Sequence, residues 1–77
     1  GVKTFTNVKD PDFVVAKLMK ENPGLFEKYY GIEAGGDTEV LLEMLGRRRR
    51  LLKKGDEVDM VRTGKEVLRD WQEGKIR

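Results

Sequence analysis

The sequence contains no cysteine, no histidine and no serine along its 77 residues. A Ser-His-Asp triad, a Cys-His pair and a Cys/His zinc site are therefore excluded from this chain. No disulfide is possible, so stability rests on packing. Zero cysteine also fits a reducing compartment. Apolar runs are short; none approaches the roughly 20 residues that span a bilayer. No secretory signal is visible, and no membrane is expected as a partner.

What the chain has in quantity is charge. Charged residues make up 39% of it and hydrophobic residues 38%. That balance suits solvated helices with ion pairs on their outer faces, and the apolar share is too large for a disordered chain. The length allows one domain, residues 1–77. A chain of this size buries only about 60% of its unfolded surface, so its core is small. It begins with Gly1 rather than Met, which reads as the first residue of a piece excised from something larger.

The net charge of +2 hides an uneven distribution. Residues 1–46 hold five Lys and eight acids, a balance of −3; residues 47–77 hold eleven bases and six acids, a balance of +5. The block Arg47-Arg48-Arg49-Arg50-Leu51-Leu52-Lys53-Lys54 concentrates six positive charges in eight residues. Such a block attracts phosphates even on a nearly neutral molecule.

The pattern predicts an all-α bundle of about four helices joined by short loops. Residues 1–9 are expected to be extended or loose, with alternating Val2, Phe5 and Val8. Asp10-Pro11 starts the first helix, with Asp as cap and Pro at the first helical position. Phe13, Val14, Ala16, Leu18 and Met19 form its apolar face, and Asn22-Pro23-Gly24 ends it. Leu25, Phe26, Tyr29 and Tyr30 make a short second helix closed by Gly31, with Ile32 packing back on it. Ala34-Gly35-Gly36 reads as a flexible joint. Asp37-Thr38 opens a third helix with a core stripe of Val40, Leu41, Met44 and Leu45. Glu43 and Arg47 are placed to pair. Gly46 is a weak point costing about 1 kcal/mol relative to Ala.

The Arg run forms the last turn of that third helix, where cations suit the dipole. Lys53-Lys54-Gly55 is a loop. Asp56, Glu57 and Asp59 crowd the start of a fourth helix whose face is Val58, Val61, Leu68 and Trp71. Gly64 on that face allows close approach of a neighbouring helix. Arg62–Glu66 and Arg69–Glu73 are i,i+4 pairs.

The basic block is the leading candidate site. Read functionally, Arg47, Arg48, Arg49, Arg50, Lys53 and Lys54 form a phosphate-contacting surface anchored by Leu51-Leu52. Read plainly, it is a solvated helix end. Consecutive arginines point around the whole helix, so at most two of them share one face. The acids Asp56, Glu57 and Asp59 lack the glycine and distal glutamate of an EF-hand and read as helix caps. Glu39 and Glu43 read as exposed helix-face residues rather than a catalytic pair. Phe13, Phe26, Tyr29, Tyr30 and Trp71 could offer stacking platforms, but aromatics at helical spacing more often form core. No threonine lies in a GxxxxGK[ST] loop, so this chain alone should not bind or hydrolyse nucleotide.

The stretch Leu51-Leu52-Lys53-Lys54-Gly55-Asp56-Glu57-Val58-Asp59, followed by Val67-Leu68-Arg69-Asp70-Trp71-Gln72-Glu73-Gly74-Lys75-Ile76, resembles a known pattern. It is similar to the C-terminal helical domain of circularly permuted ribosome-assembly GTPases of the YlqF/YawG type. Val8-Lys9-Asp10-Pro11, Tyr30-Gly31-Ile32 and Arg47-Arg48-Arg49 also look similar. The Asp70-Trp71-Gln72 form resembles the archaeal and nucleolar branch. The chain departs from the pattern at Asp56, which replaces the second Gly of the loop. It departs too at Arg50, where a Gly or small residue often sits, and at Gly64, where Ala is expected.

The resemblance implies a non-enzymatic module of a larger GTP-binding protein. Its partner would be ribosomal RNA of the large subunit, or the immature large-subunit particle. Arg47, Arg48, Arg49, Lys53 and Lys54 match the family's basic stretch, and Lys75 matches its terminal Gly-Lys. GTP and Mg belong to the parent's GTPase domain, and no cofactor is expected in this chain. A monomer is expected, cytoplasmic, or nucleolar in a eukaryote. The alternative is a regulatory domain packing on the GTPase domain or a ribosomal protein through Tyr29, Tyr30 and Trp71. A helix-turn-helix reading is weaker, because the connection between the third and fourth helices exceeds a tight turn.

Overall fold

The computed structural model describes residues 9–77. The extended segment expected over residues 1–9 lies, Lys9 apart, outside the described residues. Helix α1 (Pro11–Glu21) begins as the sequence predicts, with Pro at its first position. Asp10 occupies the cap position, yet its side chain accepts no cap hydrogen bond. At the other end the Asn22 side-chain amide donates to the Leu18 carbonyl at 2.9 Å, satisfying one of the free carbonyls ahead of Pro23.

Helix α2 (Leu25–Tyr30) closes on Gly31, whose φ of 67° is the left-handed turn that glycine adopts without a Cβ penalty. Ile32 then folds back with its N–H on the Glu27 carbonyl and is buried. The Ala34–Gly36 segment is a defined turn rather than a loose joint. Asp37 N–H bonds the Ala34 carbonyl at 3.0 Å, and the Glu27 carboxylate accepts from Gly36 N–H at 2.6 Å.

Helix α3 (Thr38–Arg48) is capped by the Asp37 carboxylate, which accepts from Glu39 and Val40 N–H. Its buried stripe is Leu41, Leu42, Leu45 and Gly46. Val40 and Met44, expected inside, are 38% and 45% exposed. The stripe is rotated because Gly46 is a contact point rather than a weak point. A Cβ there would collide with Val58 Cγ1 and lie 2.8 Å from Thr63 Oγ1.

The largest departure follows α3. The sequence reading placed a loop and then an acidic helix start over residues 53–59. Instead β1 (Leu52–Lys53) and β2 (Glu57–Val58) form a small antiparallel hairpin, with Leu52 opposite Val58 and Lys53 opposite Glu57. The fold is therefore a helical bundle carrying a two-stranded ribbon. The turn needs two successive positive φ values, 85° at Gly55 and 57° at Asp56. Val58 is buried against the Gly46 surface, which draws Glu57 and Asp56 into the ribbon. Only Asp59, of the three clustered acids, caps helix α4 (Met60–Gln72), accepting from Arg62 N–H at 3.0 Å.

In α4 the buried face is Thr63, Gly64, Val67, Leu68 and Asp70, while Val61 is exposed. Val58 falls in the ribbon and the inner turns carry Thr and Gly, so the apolar pattern alone misplaces this face. Gly64 does admit a neighbour: a Cβ there would lie 3.2 Å from Pro11 Cβ and 3.3 Å from Asp12 N. The three longer helices pack on one another around Val15, Met19, Phe26, Leu41, Leu45 and Leu68. Burying each such side chain contributes about 1.5–3 kcal/mol. Trp71 stacks on Phe26, centroids 5.5 Å apart. Phe13, expected on the inner face of α1, is 70% exposed; Val15 takes that place at 0%.

Gly46→Ala should destabilise the chain despite better helix propensity. The gain of about 1 kcal/mol is outweighed by overpacking two β-branched neighbours, which costs about 1–3 kcal/mol. A lower denaturant midpoint is expected; a higher one would show that the α3–ribbon contact is loose.

Candidate functional site

The basic run leaves α3 in four different directions. Arg47 pairs with Glu43 one turn back, at 2.9 Å, as its i,i+4 spacing predicts. Arg48 reaches across to donate to the Tyr30 carbonyl, closing the end of α2. Arg49 turns toward α4, where it meets Glu66 at 2.9 Å and Asp70 at 3.4 Å. Its guanidinium also lies 5.5 Å from the centre of the Tyr30 ring, within cation–π range. Arg50 is exposed, with a φ of 56°.

Arg49 belongs to a polar knot that the sequence reading did not find. The Tyr30 hydroxyl donates to Asp70 Oδ2 at 2.8 Å, a buried bond joining α2 to α4. The Asp70 carboxylate therefore serves Tyr30 and Arg49 together. Burial, reinforced by the Asp70 carboxylate, holds the Tyr30 hydroxyl far above the usual phenol range. Burial works against the Arg49 charge, but the Glu66 hydrogen bond and the Asp70 carboxylate outweigh it and raise that group above its ordinary value. One signal was present in the sequence: Asp70 lies three residues beyond Val67, on the inner face. An acid there needs a partner.

Past the knot, the ribbon presents its cations outward. Lys53 and Lys54 are exposed, and neither they nor Arg50 make an ion pair or side-chain hydrogen bond among the described residues. Lys75 follows α4 and pairs with Glu73 at 3.2 Å, which raises its pKa. The expected pairs Arg62–Glu66 and Arg69–Glu73 are replaced: Glu66 takes Arg49 and Glu73 takes Lys75.

Arg50 and Asp56 are the non-glycine residues with positive φ among those described. They stand at the two positions where the resembled pattern carries glycine or a small residue. A left-handed conformation costs an L-residue roughly 1–2 kcal/mol, less for Asp, whose side chain tolerates it. A long cation is thus kept where the backbone favours glycine.

Asp56 and Glu57 belong to the ribbon, and no group of three acids able to hold a metal occurs among the described residues. No helix of the described chain is long and apolar enough to cross a membrane. Among the aromatics, Phe26 and Tyr30 are buried, Trp71 is half-buried, and Phe13 and Tyr29 are exposed.

No family model matches the chain. A GTP-binding protein of Methanocaldococcus jannaschii is 32% identical over 63 residues, covering 82% of this chain and 17% of that protein. Nucleolar GTP-binding protein 2 of Neurospora crassa is 38% identical over 77 residues, covering 99% of this chain and 12% of that protein. Nuclear/nucleolar GTPase 2 of Oryza sativa subsp. japonica is 35% identical over 80 residues, covering 99% and 14%. The chain belongs to the family of nucleolar-type GTP-binding proteins. It spans only 12–17% of the length of these relatives. In this member of the nucleolar-type family, the basic run is divided. Arg48 and Arg49 bind the helices together, while Arg50, Lys53 and Lys54 face outward.

The knot sets a pH dependence. The Tyr30 pKa is raised above the unfolded value near 10, so its contribution is complete below pH 10. Above that pH the unfolded chain releases a proton that the folded chain keeps, and stability falls. Tyr30→Phe should cost about 1–3 kcal/mol at neutral pH. It should also flatten the stability loss between about pH 10 and 12. Equal slopes for the two chains would show that this hydroxyl is not buried on Asp70.

Proposed function

We propose that this chain is the RNA-docking portion of a GTP-binding ribosome-assembly protein, a non-enzymatic module lying C-terminal to a GTPase domain. GTP and Mg would be held by that domain. The partner is ribosomal RNA of the immature large subunit. The setting is nucleolar in a eukaryotic cell and cytoplasmic otherwise. The reading is supported by the relatives' nucleolar and GTP-binding names.

The observation that carries it is Arg50. Its guanidinium satisfies nothing within the described chain, and its backbone favours glycine. The turn itself closes α3, with the Leu51 N–H on the Gly46 carbonyl, but the arginine side chain held there returns nothing to the fold, which points to a function outside it. Lys53 and Lys54, on the adjoining ribbon, extend the same exposed charge. Arg47 joins them when it exchanges Glu43 for a phosphate, an exposed pair worth about 0–1 kcal/mol. Arg48 and Arg49 act as its foundation. Lys75, held by Glu73, lies at the edge.

A salt titration tests this reading on large-subunit ribosomal RNA, with duplex DNA as control. Binding should weaken steeply with salt, because each phosphate neutralised releases counterions. Arg50→Gly with Lys53→Ala and Lys54→Ala should lower the slope by about 2–3. It should leave the fold as stable as before, or more so, since Gly suits the residue-50 backbone. Charge reversal of all four arginines is not the right test, because losing Arg49 severs the knot. Undiminished binding by the triple variant, or no binding at low salt, would overturn the proposal.

A further inference from the structure

The apolar residues that α3 turns outward line a groove. Val40 and Met44 border one hollow of about 380 Å³ together with Met60 of α4. Phe13 and Ala16 of α1 border a second, of about 290 Å³, which shares Met60 and Glu39 with the first. The two hollows lie side by side between α1, α3 and the start of α4, meeting at Glu39 and Met60. Its charged lining is Asp12, Glu39 and Glu43, with no Lys or Arg among the lining residues. Glu43 is already paired with Arg47, so Asp12 and Glu39 are the free charges. These three acids lie in the part of the sequence whose balance is −3.

We propose that this groove docks a basic amphipathic helix of a protein partner. The inference does not rest on the RNA reading, since none of its residues belongs to the cationic surface. The apolar floor would take side chains at i, i+3, i+4 and i+7 spacing, the mode by which helices enter grooves. The carboxylate rim would take the flanking lysines or arginines. Charge complementarity selects this occupant: an acidic helix would set its carboxylates against Asp12 and Glu39. Of the residues expected from sequence to carry protein contacts, Tyr29 is exposed but does not line this groove, and the other two are engaged within the fold. Tyr30 is buried on Asp70 and Trp71 is stacked on Phe26.

The test uses the full 77-residue chain. The probe is a synthetic helix of about 20 residues, long enough to be helical alone, with leucines on one face and lysines beside them. A matched peptide carries glutamates for lysines. Binding is followed by methyl NMR of Met44 and Met60. The lysine peptide should shift these methyls and bind about tenfold more tightly than the glutamate peptide. Met44→Asn and Glu39→Lys, both at exposed positions, should each weaken it by about tenfold without unfolding the chain. Equal binding of the two peptides, or variants that bind as the parent does, would overturn the proposal. So would contacts in the free chain between Met44 and Phe5, which would mean that the chain's own first residues fill the groove. A dimer in sedimentation that buries Met44 would overturn it in favour of a second copy.

Discussion

The carboxylate of Asp70 is the constraint on which the arrangement depends. It is placed by α4, buried, and shared between the hydroxyl of Tyr30 from α2 and the guanidinium of Arg49 from the end of α3. Removing either partner would leave a buried charge poorly compensated, a far larger effect than losing an exposed ion pair. Because Arg49 is committed to this knot, the end of α3 has a fixed orientation. The chain therefore leaves α3 through the left-handed turn at Arg50 and enters the ribbon in one direction. The direction in which Arg50, Lys53 and Lys54 leave the helix end thus follows from one inward acid.

Glycine supplies the second constraint. Gly46 on α3 and Gly64 on α4 are points of close approach between elements, one receiving Val58 and Thr63, the other receiving Pro11 and Asp12. The first seats the ribbon and the second seats the start of α1. A residue that costs helix propensity is retained because a side chain would push the elements apart. The rotation of α3 that Gly46 imposes is what turns Val40 and Met44 outward. The same glycine that seats the ribbon therefore opens the apolar groove.

Much of this was legible in the sequence. Helix starts at Pro11 and Asp37, the stop at Asn22-Pro23 and the cap at Gly31 follow from local chemistry and are found where expected. The Glu43–Arg47 pair and the close approach at Gly64 were also readable. What escaped was whatever depended on distant residues. The ribbon is too short for an alternating pattern, and its acids imitate a helix start. The inner face of α4 is Thr, Gly, Val, Leu and Asp, a stripe that apolar periodicity does not recognise. The division of labour within Arg47–Arg50 was partly foreseen, since consecutive helix residues cannot share a face. Which arginine would serve the fold was not, because that depends on Asp70 and Glu66 in another helix.

The two surfaces that result differ in kind. One is a ribbon and helix end with exposed cations suited to phosphate; the other is an apolar groove edged with carboxylates. The account stands on the claim that the arginine run is split between holding the fold and facing a partner. The most direct measurement replaces each of Arg47, Arg48, Arg49 and Arg50 singly with Gln, and reads thermal stability and ribosomal RNA affinity for every variant. Arg49→Gln should give the largest fall in melting temperature with little change in the affinity of the folded protein. Arg50→Gln should do the reverse. If Arg49→Gln instead governs affinity while leaving stability intact, the knot is not what orients this surface, and the account fails.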